Sequence, residues 1–191
     1  MYGRRSAALL IDLRDLATET VPLPDDLELA VIDSGTRHEH ASGGYNTRRA
    51  ECEAAAEHFG VRSLRDLEDR PLHEVLERLP APLDRRVRHV LTENDRVRGA
   101  VLSLRTRDLR RLGELLDASH RSLQQDYEVS TPELDQLVAR AAADEAVLGA
   151  RLVGGGFGGS VLALTRRGEA ERAANRVLSG YPGGRLVAIV P

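Results

Sequence analysis

At 191 residues the chain is long enough to bury about 70 % of its unfolded surface in one fold, and with no tryptophan, two phenylalanines and four tyrosines its core has to be aliphatic. A formal charge of −3, with 27 basic residues (all arginine) interleaved among 30 acids, argues against a nucleic-acid or anionic-membrane surface. The single cysteine, Cys52, excludes an intrachain disulfide framework and suits a reducing cytoplasm; no run approaches the roughly 18 apolar residues of a membrane span, and no signal peptide opens the chain.

In chain order, Ala7 to Leu13 and Leu27 to Ile32 read as two strands, with the prolines of Val21-Pro22-Leu23-Pro24 fixing an extended turn between them. The first begins only a few residues from Met1, an odd place for a strand of central character. Asp33 to Tyr45 follows as a long polar loop, the kind of segment that carries function. Within it His38 and His40 flank Glu39, and alternate residues on an extended chain point the same way, so the two imidazoles could converge on a metal. No third ligand is evident nearby, and a solvated loop is the simpler reading. A helix is expected from Asn46 to Phe59, stopped at Gly60, with Arg48 and Arg49 in its first turn. The helix dipole disfavours cations there, which implies either an anionic ligand or an ordinary salt bridge.

The middle is helical: a short turn at Ser63 to Asp66, then helices over Pro71 to Leu79, Leu83 to Leu104 and Arg105 to Gln125. His120 lies on the last, where a hydrogen-bonded structural histidine is the default. Ser130 and Glu133 have capping-box spacing with Pro132 between them, opening a helix that the apolar spacing carries to Leu148.

Then comes Gly154-Gly155-Gly156-Phe157-Gly158-Gly159. Glycine in ordered structure costs roughly 0.5–1 kcal/mol relative to alanine, so such density marks positive φ or a close approach to the backbone. The spacing nominally matches a dinucleotide fingerprint, but that needs a strand before and a helix after, whereas a helix is expected before and a strand, Ser160 to Thr165, after. A P-loop is excluded because the chain has no lysine. What remains is a glycine bridge whose backbone can lie against a ligand, or else a glycine-rich hairpin from Ala150 to Thr165 that binds nothing. A helix from Glu169 to Leu178, a turn at Tyr181-Pro182-Gly183-Gly184 and a strand from Arg185 to Val190 complete an α+β pattern without internal repeats.

Three stretches together resemble the galactokinases of the GHMP kinase superfamily: Ser42-Gly43-Gly44-Tyr45-Asn46-Thr47-Arg48-Arg49 with Cys52-Glu53; His120-Arg121-Ser122-Leu123 through the run Asp126 to Asp135; and Gly149 to Gly159. The resemblance runs from about Ala7 to the end. It implies a ferredoxin-like C-terminal domain over residues 41–191 with extra helices, preceded over residues 1–40 by two strands left from the kinase N-terminal lobe. It implies that Tyr45 contacts a galactose-like sugar and that Gly154, Gly155, Gly156, Phe157, Gly158 and Gly159 form the loop beside the nucleotide. The implied reaction is transfer of the ATP γ-phosphoryl group to the anomeric hydroxyl of galactose with Mg²⁺.

Galactokinases also carry a sugar-binding signature with a catalytic arginine, a Gly/Ser phosphate loop with a metal-binding serine, and a Met-Asp-Gln segment, none of which is found in this sequence. No residue here matches the family's catalytic arginine or aspartate, so the isolated chain is expected to be inactive. It reads as a C-terminal portion, cut by a misplaced start or gene decay. One subunit of a split kinase, partnered by a separate N-terminal lobe or by self-association, is an alternative, as is a non-catalytic sugar-binding or regulatory descendant.

Overall fold

The computed structural model describes residues 6–37 and 41–190. The chain opens with strand β1 (Ala7–Ile11), β2 (Thr18–Pro22) and β3 (Leu27–Arg37), followed by helix α1 (Ala41–Phe59). A short 3-10 turn (Leu64–Leu67), α2 (Leu72–Glu77), α3 (Leu83–Thr106), α4 (Leu109–Gln125) and α5 (Pro132–Ala142) follow. The end is β4 (Val147–Val153), β5 (Gly158–Arg166), α6 (Ala170–Leu178) and β6 (Arg185–Val190).

The two early strands expected to form a pair do not pair with each other. Among the described residues β1 pairs only with β2, an antiparallel hairpin where a proline turn is expected, whereas β3 lies inside an antiparallel sheet of order β4-β5-β3-β6. β3 takes this place because its residues suit burial on both faces: Leu27, Ala30 and Ile32 are buried and Leu29 packs on α3 and α4. It also runs to Arg37, five residues beyond the expected end at Ile32, so much of the supposed polar loop is strand. His38, Glu39 and His40, the candidate metal pair and its neighbour, lie outside the described residues.

Helices cover the sheet. On α5 the apolar residues Leu134, Leu137, Val138 and Ala141 recur at helical spacing and all are buried against Ala150, Leu152, Val161 and Ala163 of the sheet. α6 adds Ala170, Ala174 and Val177 to the same cluster. α4 contributes Leu109 and Leu112 against Leu27 and Leu164. A separate core joins α1 to α2 and α3 through Ala55, Leu67, Val75, Val87 and Leu91. The expected capping box does not form: Thr131, one residue later, is the N-cap of α5 and accepts from the Leu134 amide, while the Ser130 hydroxyl donates to Asp135.

The helix expected to reach Leu148 stops at Ala142, and β4 follows. The glycine bridge therefore joins two strands. β4 and β5 pair antiparallel from Val147 opposite Thr165 to Val153 opposite Ser160, so the local backbone is a glycine-rich hairpin. The dinucleotide reading still fails, because a strand and not a helix follows the glycines. No described helix is long and apolar enough to cross a membrane.

Candidate functional site

The bridge reverses the chain through an unusual run of left-handed backbone, with φ of +87° at Gly154, +78° at Gly156, +59° at Phe157, +116° at Gly158 and +93° at Gly159. One of these glycines is dictated by a neighbour. A methyl group on Gly156 would lie 2.3 Å from the carbonyl oxygen of Val129, the same oxygen that accepts a 2.7 Å hydrogen bond from the Phe157 amide. The bridge is thus clamped to the connection between α4 and α5. At Gly154 and Gly155, by contrast, the backbone is exposed and has no atom within 4 Å of where a side chain would start.

Phe157 carries the bridge across to α1. Its ring lies on Gly44, where a Cβ would be 2.5 Å from the ring's Cζ, so a larger residue there must displace the ring. The next residue on the helix is Tyr45. α1 begins at Ala41, about a turn before the expected start at Asn46, and this extra turn is what brings Gly44 under the ring.

Tyr45 is 58 % exposed and stands at the edge of a cleft of about 1010 Å³. β1 residues Leu10 and Ile11, Cys52 and Ala56 of α1, Val90 and Val97 of α3, and Tyr127 line it; the bridge residues do not. Beneath it the Tyr127 ring stacks on His89 with centroids 4.4 Å apart, and its hydroxyl lies 3.8 Å from the Cys52 sulfur. Burial pushes the Tyr127 phenol and the Cys52 thiol up and drives His89 down to about 4, so near pH 7 all three are neutral. Burial thus leaves the thiol and phenol protonated and makes the His89 imidazole a weak base.

An ionic network lies behind this wall. The Arg86 guanidinium meets Glu51 of α1 and Glu128, each at 2.6 Å, and Arg48 meets Glu51 at 2.7 Å. Arg49 pairs with Glu53 at 2.8 Å. Of the two readings for Arg48 and Arg49, the structure shows salt bridges, and both arginines lie beyond the first turn of α1. Burial pushes the Glu51 carboxyl up, but hydrogen bonds from Arg86 and Arg48 outweigh that and hold it below the usual carboxylate range. His120 is the expected structural histidine, with Nε2 3.3 Å from Asp135 and Nδ1 accepting from the Leu152 amide. Among the described residues no group of three or more His, Cys, Asp or Glu side chains is placed to hold a metal ion.

Residues 100–183 match the family described as GHMP kinases C terminal. Those residues therefore carry a GHMP kinase C-terminal domain. It is 38 % identical over 186 residues to a galactokinase of Actinobacillus succinogenes, the alignment covering 94 % of this chain and 48 % of that protein. It is 45 % identical over 181 residues to a galactokinase of Mycobacterium tuberculosis, covering 93 % and 49 %. The crystal structure of Lactococcus lactis galactokinase complexed with galactose superposes with a TM-score of 0.87 at 31 % identity, covering 98 % of this chain and 52 % of that one. The mevalonate kinase of L. major, at 22 % identity and a TM-score of 0.61, shares the fold. The chain spans about half the length of the curated relatives it matches, and corresponds to a C-terminal portion of a galactokinase-type GHMP kinase.

The first and third motif stretches meet through Phe157 and Gly44, and the middle one, through Val129, holds the bridge from behind. Sequence reading missed Tyr127 and Arg86. Arg86 had a visible signal: it sits three residues after Leu83 and four before Val90, on the stripe expected to face inward.

Proposed function

We propose that this chain is one wall of a galactokinase active site. Tyr45 contacts the sugar, the exposed backbone of Gly154 and Gly155 lies beside the nucleotide, and the chain does not phosphorylate galactose on its own. The observation that carries this reading is the Phe157 ring seated on Gly44, which joins the glycine bridge to the turn bearing Tyr45. The open space over Gly154 and Gly155 suits close approach of a phosphate-bearing ligand to the backbone. Phosphoryl transfer depends on a phosphate cradle, metal ions and a group orienting the nucleophile. ATP and Mg²⁺ supply the transferable group and charge neutralisation in the complete kinase. This chain contributes a sugar contact and a closing loop, with Phe157 fixing their spacing. Losing one preorganised electrostatic donor typically costs about 10²–10³ in rate, and here the cradle, catalytic arginine and aspartate are absent together. A coupled ADP-release assay with galactose and ATP is expected to show no turnover above background; turnover by the isolated chain overturns the reading.

A second reading, the C-terminal subunit of a split kinase, is favoured by the β1–β2 hairpin. Among the described residues β1 pairs with β2 alone, leaving an open edge beside exposed Ile11, Leu13 and Leu16. On both readings residues 1–40 are assigned to the N-terminal lobe except β3, whose pairing with β5 and β6 sets it apart from them. Adding the separately produced N-terminal half of a galactokinase relative is expected to restore turnover. Galactose binding without restored turnover would favour a non-catalytic sugar-binding protein.

A further inference from the structure

Arg86 is 1 % exposed, the largest fully buried side chain among the described residues. A buried ion pair is weak evidence for stability, because well-packed apolar residues of similar volume often do as well or better. What distinguishes Arg86 is where its donors go. Nε meets Glu51 Oε2 on α1 at 2.6 Å, Nη1 the Asp126 carbonyl at 2.6 Å, and Nη2 Glu128 Oε2 at 2.6 Å. One rigid fork therefore grips α1 and the connection after α4 from its own helix, α3.

Glu128 is held in left-handed backbone, φ +53°, a conformation that costs a non-glycine residue roughly 1–2 kcal/mol and persists where the surroundings impose it. Its carboxylate is engaged by Arg85 and Arg86. The next residue, Val129, gives its carbonyl to the Phe157 amide, and the Phe157 ring rests on Gly44 of α1. α1 returns to Arg86 through Glu51. These contacts close a ring that passes through both halves of the candidate site. Arg48 reinforces it, reaching Glu51 at 2.7 Å and the Glu128 carbonyl at 3.4 Å.

We propose that Arg86 is a positioning residue: by fixing the Glu128 turn, it sets the separation between the helix bearing Tyr45 and the glycine bridge. That this separation serves sugar phosphorylation rests on the function proposed above. The coupling itself does not, and it is readable in the free chain. Two variants of the 191-residue protein weaken the fork conservatively, Arg86→Lys, which keeps the charge, and Glu128→Gln, which keeps the shape. Arg49→Ala, which breaks an exposed pair on α1, the helix bearing Tyr45, is the control.

Amide hydrogen exchange followed by NMR reads the Phe157 amide directly. In both fork variants it is expected to exchange at least about tenfold faster, while Ala163 and Leu164 in the sheet stay within about twofold of the parent. The ring-current shift of Phe157 on the Gly44 α-protons is expected to collapse toward the unstructured value. The control should change neither signal. Unaltered Phe157 exchange overturns the proposal. So does a rise that only tracks the sheet amides, including the case in which both variants lose the fold, because Arg86 would then be an ordinary core group. Failure of galactose binding with the exchange result intact would count against the proposed function and leave the coupling standing.

Discussion

Replacing Gly156 and Gly155 in turn by alanine should move stability in opposite directions, although the two are neighbours in one run of glycines. At Gly156 the new methyl group would lie 2.3 Å from the Val129 carbonyl oxygen and 2.6 Å from the Val129 Cβ, far inside ordinary contact, on backbone with φ +78°. Left-handed backbone costs a residue with a Cβ roughly 1–2 kcal/mol. Relieving the overlap must part the strand from Val129 and break the Phe157 hydrogen bond, about 0.5–1.5 kcal/mol more. The total is about 1.5–3.5 kcal/mol, which for a domain of this size is a fall in Tm of roughly 3–14 °C. Gly155 has no positive φ and no atom within 4 Å of the added Cβ. Alanine there restricts the unfolded chain and is expected to be neutral or to stabilise by up to about 1 kcal/mol. Thermal and urea unfolding of the two variants beside the parent measures both. Equal losses at both positions, or a Gly156→Ala variant within about 0.5 kcal/mol of the parent, would refute the argument that Val129 dictates the glycine.

Leu137, fully buried between α5 and the sheet, should lose about 2–5 kcal/mol on truncation to alanine in the same unfolding experiments. Tyr45→Phe should leave stability within about 0.5 kcal/mol, since the ring is largely exposed, yet weaken galactose binding in calorimetry; unchanged binding would remove Tyr45 from the site. Acid should destabilise the fold through His89. Burial lowers its folded pKa from 6.5 to about 4, so the unfolded chain takes up the proton first. The stabilisation is complete above pH 6.5 and is lost progressively down to about 4, to the extent of about 3 kcal/mol. Glu51, Glu93 and Glu128, each held below its usual range, add loss of the same sign as pH falls past their unfolded values. Urea midpoints from pH 4 to 7 should therefore flatten in His89→Gln; an unchanged slope would exclude His89 as a source.

The helices were legible where apolar spacing met a plain stop, as in α3, which begins at Leu83 as expected, and α6, which ends at Leu178 as expected. β4 was hidden because Ala146 and Leu148 continue the helical spacing of α5, and the chain turns there without glycine or proline. The turn is made by Asp144 instead, whose carboxylate accepts from the Ala146 amide and whose carbonyl accepts from the Val147 amide. β2 escaped notice because only Val21 in it is buried, which leaves no alternation to read. Its turn uses Leu16 at φ +60°, a residue that gives no turn signal. The start of α1 was set too late because Gly43 and Gly44 disfavour helix. The ring of Phe157, more than a hundred residues away in sequence, lies on Gly44. The glycine bridge and Tyr45 stood out as motifs, but their meeting depends on that one long-range contact.

The place of β3 bears on how the protein is made. Its two sheet partners, β5 and β6, begin at Gly158 and Arg185, so the middle of the sheet emerges from the ribosome long before either neighbour exists. At about 5–20 residues per second, Leu29, Val31 and Ile32 wait on the order of ten seconds with both edges unpaired while the helical segments are synthesised. During that interval an apolar strand is open to association with other nascent chains, and its capture by β5 and then β6 closes the sheet only after all the intervening helices have been made.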